Sequence, residues 1–182
     1  NPMAEYAMQQ PDFFEFIYKF LCSKIGKTTV QPGKAIHNNM KIFLGADHRG
    51  FGLKEQIKAW LNENSIAYVD CGNQVFDAED DFTDYAKAVA KSVLADSGSY
   101  GIITCGSAQG VAMQANRYKG IRAAICHEAE EVRETRSHND ANILCLAADN
   151  APDYPALIQA FIATPALTDE KYQRRINKLD EE

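Results

Sequence analysis

The stretch Tyr100–Asn116, YGIITCGSAQGVAMQAN, decides how this chain is read. A short apolar run, Gly101–Thr104, ends in Cys105. The turn Gly106-Ser107-Ala108-Gln109-Gly110 follows, and a helical pattern covers Ala108–Tyr118. A buried strand that opens through a tight turn onto a helix is the building unit of α/β proteins. Unpaired backbone N–H groups collect at a helix N-terminus, and anions and oxyanions bind there. A thiol at that point is either a small buried hydrophobe or a reactive group. The helix N-terminus favours the thiolate, so the residue pattern predicts a depressed thiol pKa.

Working outward, the same alternation recurs. Lys41–Gly45 reads as a short buried strand, followed by the polar turn Ala46–Gly50. Phe51–Asn64 has helical spacing, with Leu53, Ile57, Trp60 and Leu61 on one face. Ala67–Cys71 is a second strand, and an acidic loop, Gly72–Thr83, leads to Asp84 as the N-cap of a helix reaching Asp96. After the opening stretch come a strand at Ile121–Cys126, a charged helix at Glu128–Ser137 and a fifth strand at Ile143–Leu146. Helices at Tyr154–Ala163 and Glu170–Leu179 close the chain. Short apolar runs alternating with amphipathic helices predict an α/β fold: a doubly wound, five-stranded parallel sheet with helices on both faces, a Rossmann-like three-layer sandwich. Ligands in such sheets lie beyond the carboxyl ends of the strands. The residues placed there are Asp47-His48-Arg49, Cys105–Gly110, His127-Glu128 and Asp149-Asn150.

Residues 1–39 differ from this pattern. Pro11-Asp12 opens a helical segment over Phe13–Ile25, and Lys27–Asn39 reads as a linker. The expected division is an N-terminal extension, 1–39, and a main domain, 40–182. The net charge of −6 and the lack of a Lys/Arg-rich run before the last dozen residues argue against a nucleic-acid surface. No apolar run approaches the ~20 residues that span a bilayer. The five cysteines form no CxxC pair and no zinc-type spacing, and read as reduced thiols of a cytoplasmic protein.

Several constellations compete for the chemistry. Cys105 suits a nucleophile or a general base, and the Gly106–Gly110 backbone offers oxyanion donors. The same turn has a superficial likeness to a dinucleotide loop. Its glycine spacing is wrong for one, and it follows the third strand rather than the first. Asp47-His48 is an acid/base or phosphate-binding pair, or a surface turn. His138-Asn139-Asp140 is a polar loop near the sheet edge, or a helix cap and turn. Arg133 and Arg136, among Glu130, Glu131 and Glu134, read as a solvated helix face. Lys171, Arg174 and Arg175 form either a solvated face or a phosphate site.

Four motifs in order resemble one family, that of type B ribose-5-phosphate isomerase and the galactose-6-phosphate isomerase subunits. They are Gly45–Phe51 with Leu53-Lys54; Ile103–Ser107 with Gly110 and Ala115-Asn116; Gly120–Ala124; and Arg136–Asn142. The resemblance covers about Met40–Leu179. It implies a metal-independent aldose–ketose isomerase that works through a cis-enediolate without a cofactor. By position, Cys105 would be the general base. Ser107 and the amides of Gly106–Gly110 would stabilise the enediolate oxygen. Asp47 and His138 would open the sugar ring, and Asn139 would hold a hydroxyl or the ring oxygen. His48, Lys171 and Arg175 match positions that help bind phosphate. The resemblance further implies a homodimer or tetramer with the site between subunits, acting on a small phosphorylated sugar.

The chain departs from the family at Ala108, which replaces the middle glycine of the turn, and at Gln109. It departs again at Asp149, where many members carry a phosphate-binding arginine, and at Lys171, which loses bidentate geometry. Ribose 5-phosphate is the expected substrate. The alternatives are a four- or six-carbon sugar phosphate and a non-catalytic sugar-phosphate-binding subunit.

Overall fold

The computed structural model describes residues 40–181. The helical segment expected over Phe13–Ile25 lies outside the described residues. The strands are β1 (Ile42–Ala46), β2 (Tyr68–Asp70), β3 (Tyr100–Cys105), β4 (Ala123–Ile125) and β5 (Ile143–Ala147). They form one parallel sheet in the order β2-β1-β3-β5-β4. Between and after them run α1 (Phe51–Glu63), α2 (Phe82–Ala95), α3 (Gln109–Ala115), α4 (Ala129–Asn139), α5 (Tyr154–Ala163) and α6 (Glu170–Leu179).

The strand period of two sorts the core into two layers. Ile42, Leu44, Ile102, Leu144 and Leu146 face α1, α4 and α5, where Ile57, Leu61, Val132, Leu157 and Phe161 pack on them. Phe43, Ile103, Cys105, Ile143 and Cys145 point the other way, onto Val89 and Ala90 of α2 and Val111 and Ala115 of α3. The doubly wound sheet is therefore as expected, and Cys105 projects toward the α2–α3 layer.

Two helix boundaries differ in ways that matter. The N-cap of α2 is Asp81, and Asp84 lies in its first turn, so the helix starts earlier than its sequence pattern suggests. Helix α4 extends through His138 and Asn139 and ends on Asp140 in the left-handed conformation at φ 49°. His138-Asn139 is thus a last helical turn, not a loop. The polar spacing hid this continuation, because the tertiary partners of Arg136 and Asp140 stabilise the turn.

Arg136 is not on a solvated face: it is 3% exposed. Its guanidinium donates to Asp140 (2.7 Å), the Ala141 carbonyl (2.6 Å) and the Tyr100 hydroxyl (2.9 Å). It lies over the rings of Tyr100 and Phe161. Lys54, 1% exposed on the apolar side of α1, is held by Asp70 (2.7 Å), Glu55 (3.0 Å) and the Asn73 carbonyl (2.9 Å). Such ions are retained only where every charge finds a partner. At the sheet edge, the Asn116 side chain accepts from the Ala123 N–H (2.8 Å) and donates to its carbonyl (2.9 Å), pairing with β4 as a strand would.

The β1–α1 turn sits directly on the end of β3. Gly50 N–H donates to the Asp47 carboxylate (2.8 Å), and Thr104 Oγ1 donates to the Gly50 carbonyl (2.9 Å). A Cβ at Gly50 would collide with the Thr104 carbonyl, a backbone atom that cannot move without breaking the sheet. Gly50→Ala is therefore expected to cost roughly 2 kcal/mol or more in urea unfolding. A loss under about 0.5 kcal/mol would show that the two elements are not locked together.

Candidate active site

The first group of residues lies at the carboxyl edge of the sheet. β1 ends at Ala46 and delivers Asp47, 6% exposed, and then His48; β3 ends at Cys105, also 6% exposed. The turn after Cys105 bends back on the sulfur. The Ala108 N–H donates to Cys105 Sγ at 3.0 Å, and the amides of Ser107 and Val111 also favour the thiolate. Ala108 achieves this at φ 63°, a left-handed conformation that L-residues adopt at a cost of about 1–2 kcal/mol.

The expected depressed thiol pKa is not found. Burial pushes the Cys105 thiol up, the neighbouring Asp47 charge adds to this, and the three amides only partly oppose them. The short α3 supplies too little opposing field. Burial likewise raises Asp47, although the Gly50 amide pulls the other way. The remaining buried thiols, Cys126 (pushed up to about 12) and Cys145, are raised by burial and belong to the core. All four described cysteines are free.

Around this pair, Gly106 and Gly110 are closely covered. Arg49 lies across Gly106, and the Phe82 ring packs at Gly110. The Arg49 guanidinium pairs with Asp149, whose own N–H donates to the Gly106 carbonyl (3.1 Å). The carboxylate at 149 is thus neutralised by a cation on the same rim. Ser107 is exposed, and its Oγ accepts weakly from the Gln109 N–H at 3.5 Å.

The second group is elsewhere. His138 and Asn139 end α4, which must return antiparallel to the strands before β5 begins, so they lie toward the amino edge of the sheet. A five-residue strand spans roughly 16 Å. They line a cleft of about 540 Å³ with Thr135, Glu134, Tyr172 and Arg175. Asp47, His48 and Cys105 are not among its walls. Tyr172 of α6 stacks on the His138 ring at 4.8 Å and 3°, fixing its plane. Lys171 is exposed and lies over the Tyr172 ring.

The sequence-derived residues therefore fall into two groups: Asp47, His48, Cys105, Gly106, Ser107 and Gly110 at one edge; His138, Asn139 and Arg175 toward the other. Tyr172 was missed. Its one sequence signal is an aromatic inside the basic Lys171–Arg175 run. Asp80 was also missed inside the acidic loop; its carboxylate is bonded to His48. Among the described residues no cluster of three His, Cys, Asp or Glu side chains could hold a metal, and no helix is long and apolar enough to cross a membrane.

The chain is similar to isomerases of sugar phosphates. The ribose/galactose isomerase family model matches residues 42–179. A ribose-5-phosphate isomerase B of Mycolicibacterium paratuberculosis is 35% identical over 144 residues, 78% of this chain and 91% of the relative. The crystal structure of a ribose 5-phosphate isomerase from Thermotoga maritima is similar with a TM-score of 0.74 and 37% identity, covering 80% of this chain and 100% of that one. A Mycoplasma genitalium ribose-5-phosphate isomerase B with bound ribulose 5-phosphate has a TM-score of 0.71 and 34% identity, covering 79% and 95%.

The burial of Cys105 has a measurable consequence. Alkylation of Cys105 by iodoacetamide, followed by peptide mass spectrometry, is expected to quicken with pH without levelling below the ordinary thiol value of 9.0. A plateau near neutral pH would mean that the amides outweigh burial.

Proposed function

Because the chain belongs to the ribose/galactose isomerase family, we propose that it interconverts ribose 5-phosphate and ribulose 5-phosphate. The observation that carries this reading is Cys105, held at the end of β3 by the Ala108 amide beside the buried Asp47. In the open-chain aldose, the Cys105 thiolate removes the proton from C2. The electron pair moves to the C1 carbonyl and forms the cis-enediolate. The same group returns a proton to C1 while the hydroxyl proton passes from O2 to O1, which leaves the ketose. Amides of the Gly106–Gly110 turn and Ser107 stabilise the oxygen on which charge develops. The raised Asp47 carboxyl suits a group that must carry a proton to the ring oxygen during opening.

His138 and Asn139 serve the same reaction only if a second copy presents them, since they lie toward the opposite sheet edge from Cys105 in one chain. We therefore read the active unit as a homodimer, or a tetramer built from such dimers, with each site drawing Cys105 from one subunit and His138, Asn139, Lys171 and Arg175 from the other. Arg49, paired with Asp149 over Gly106, puts a cation on the rim where the carboxylate alone would repel a phosphate. The free described thiols fit a reducing compartment, the cytoplasm.

Two measurements test this. Cys105→Ala is expected to lower kcat by at least about a thousandfold with the fold intact, as judged by circular dichroism. Near-normal turnover would sink the assignment of the base. Mixing Cys105→Ala with His138→Ala subunits after reversible dissociation is expected to restore up to roughly a quarter of wild-type activity, because each mixed dimer regains one complete site. No restoration would place both residues in one chain's site.

A further inference from the structure

His48 is held by a residue that the sequence motifs do not mark. Asp80, in the loop between β2 and α2, has a side chain only 3% exposed. It accepts from the His48 backbone N–H (3.0 Å) and lies 2.7 Å from His48 Nδ1 through the same oxygen. Its other oxygen accepts from Asn73 Nδ2 at 2.8 Å. The Asn73 carbonyl in turn accepts from the buried Lys54 ammonium at 2.9 Å. A rigid chain of polar contacts therefore runs from the core of α1 through the loop to the imidazole.

We propose that Asp80 is a positioning residue for His48: its buried carboxylate keeps a proton on Nδ1 and leaves Nε2 as the ring nitrogen offered to the substrate's phosphate. This rests on the reading of His48 as a phosphate-binding residue. An ionised carboxylate can only accept, so a ring nitrogen bonded to it must be N–H. No protein partner for Nε2 occurs among the described residues, and the His48 side chain is 34% exposed. When the ring is protonated, Nε2–H is a charged donor, and its bond to a phosphate oxygen is of the strong, charge-assisted kind. The charged groups around the ring are Asp80 from the loop and Asp47 and Arg49 from its own turn. The bond to Asp80 raises the His48 pKa most, Asp47 adds to this, and Arg49 opposes it.

Asp80→Asn removes the charge and nearly keeps the shape. Its amide can offer a donor to Nδ1 and so reverse the tautomer. Three readouts decide the matter. In long-range ¹H–¹⁵N spectra of the wild-type protein, the His48 signals, identified by their loss in His48→Gln, should show Nδ1 protonated throughout. Their titration should be centred above 6.5. In Asp80→Asn the midpoint should fall and the neutral tautomer should change. For ribose 5-phosphate, KM should rise roughly tenfold with kcat altered much less, and KM should climb at lower pH than in the wild type.

A neutral Nε2–H tautomer in the wild type would overturn the proposal, as would an unchanged titration and KM in Asp80→Asn. If Asp80→Asn does not fold, the wild-type spectra alone decide. If the wild-type protein shows no isomerase activity, the functional reading fails. Inorganic phosphate then serves as the probe: weaker phosphate binding in Asp80→Asn supports the role of Asp80, and equal binding refutes it.

Discussion

The contact on which the site depends is the close approach of Gly50 to the end of β3. Thr104 spends its hydroxyl on the Gly50 carbonyl, and Gly50 returns its N–H to Asp47. No side chain fits between the two backbones. The β1–α1 turn is thereby fixed to the strand that ends in Cys105. Adjacent parallel strands are only ~4.8 Å apart, so the register Ala46↔Thr104 brings Asp47 beside Cys105. The Coulombic influence of Asp47 on the thiol is the electrostatic mark of that placement. The sheet supplies the proximity, and the glycine turns it into a fixed geometry.

A second set of contacts explains why so many motif residues never reach the site. Arg122 donates to the Asp140 carbonyl and carboxylate, and Asn142 bonds the Arg122 N–H and the Gly120 carbonyl. Arg136 ties α4 to Tyr100 of β3 and to the Ala141 carbonyl just ahead of β5. These residues hold the end of α4 and the beginnings of β4 and β5 in one frame. Asp140 takes a left-handed conformation because it closes α4 while receiving both arginines. The outcome for His138 is indirect but definite: the last turn of α4 is braced on one side by Arg136 and on the other by the stacked ring of Tyr172.

The fold was legible because its signal is local. Five short apolar runs and intervening helical faces were enough to place β1 to β5, and Tyr154–Ala163 and Glu170–Leu179 were located to the residue. Cys105, Asp47 and the glycine turn were legible as strand-end residues. What the pattern could not carry was burial of charge. Arg136 lies among Glu130, Glu131, Arg133 and Glu134, which are solvated as their spacing suggests, yet it points inward to partners distant in sequence. Lys54 beside Leu53 is the same case. Within the acidic loop, Asp80 differs from its neighbours through His48 and Asn73, partners that the residues beside it do not reveal. His138-Asn139 was read as a loop for a related reason: the long-range partners of Arg136 and Asp140 carry α4 one turn past the end of its charged pattern.

The turn after β3 sets two effects on the Cys105 thiol against each other. A helix N-terminus favours the thiolate, but α3 has only 7 residues and Cys105 is nearly inaccessible to water. Desolvation of the thiolate outweighs the oriented amides here, even with one aimed straight at the sulfur. Ala108 is bent into the left-handed region, and its N–H is aimed at the sulfur at 3.0 Å. The backbone cost of that conformation, about 1–2 kcal/mol, is comparable to the net worth of an ordinary hydrogen bond, about 0.5–1.5 kcal/mol. The two nearly offset, so an alanine can hold a position that a glycine would occupy without strain. Ala108 is fully buried against the α2–α3 layer, so its methyl group adds packing to the turn.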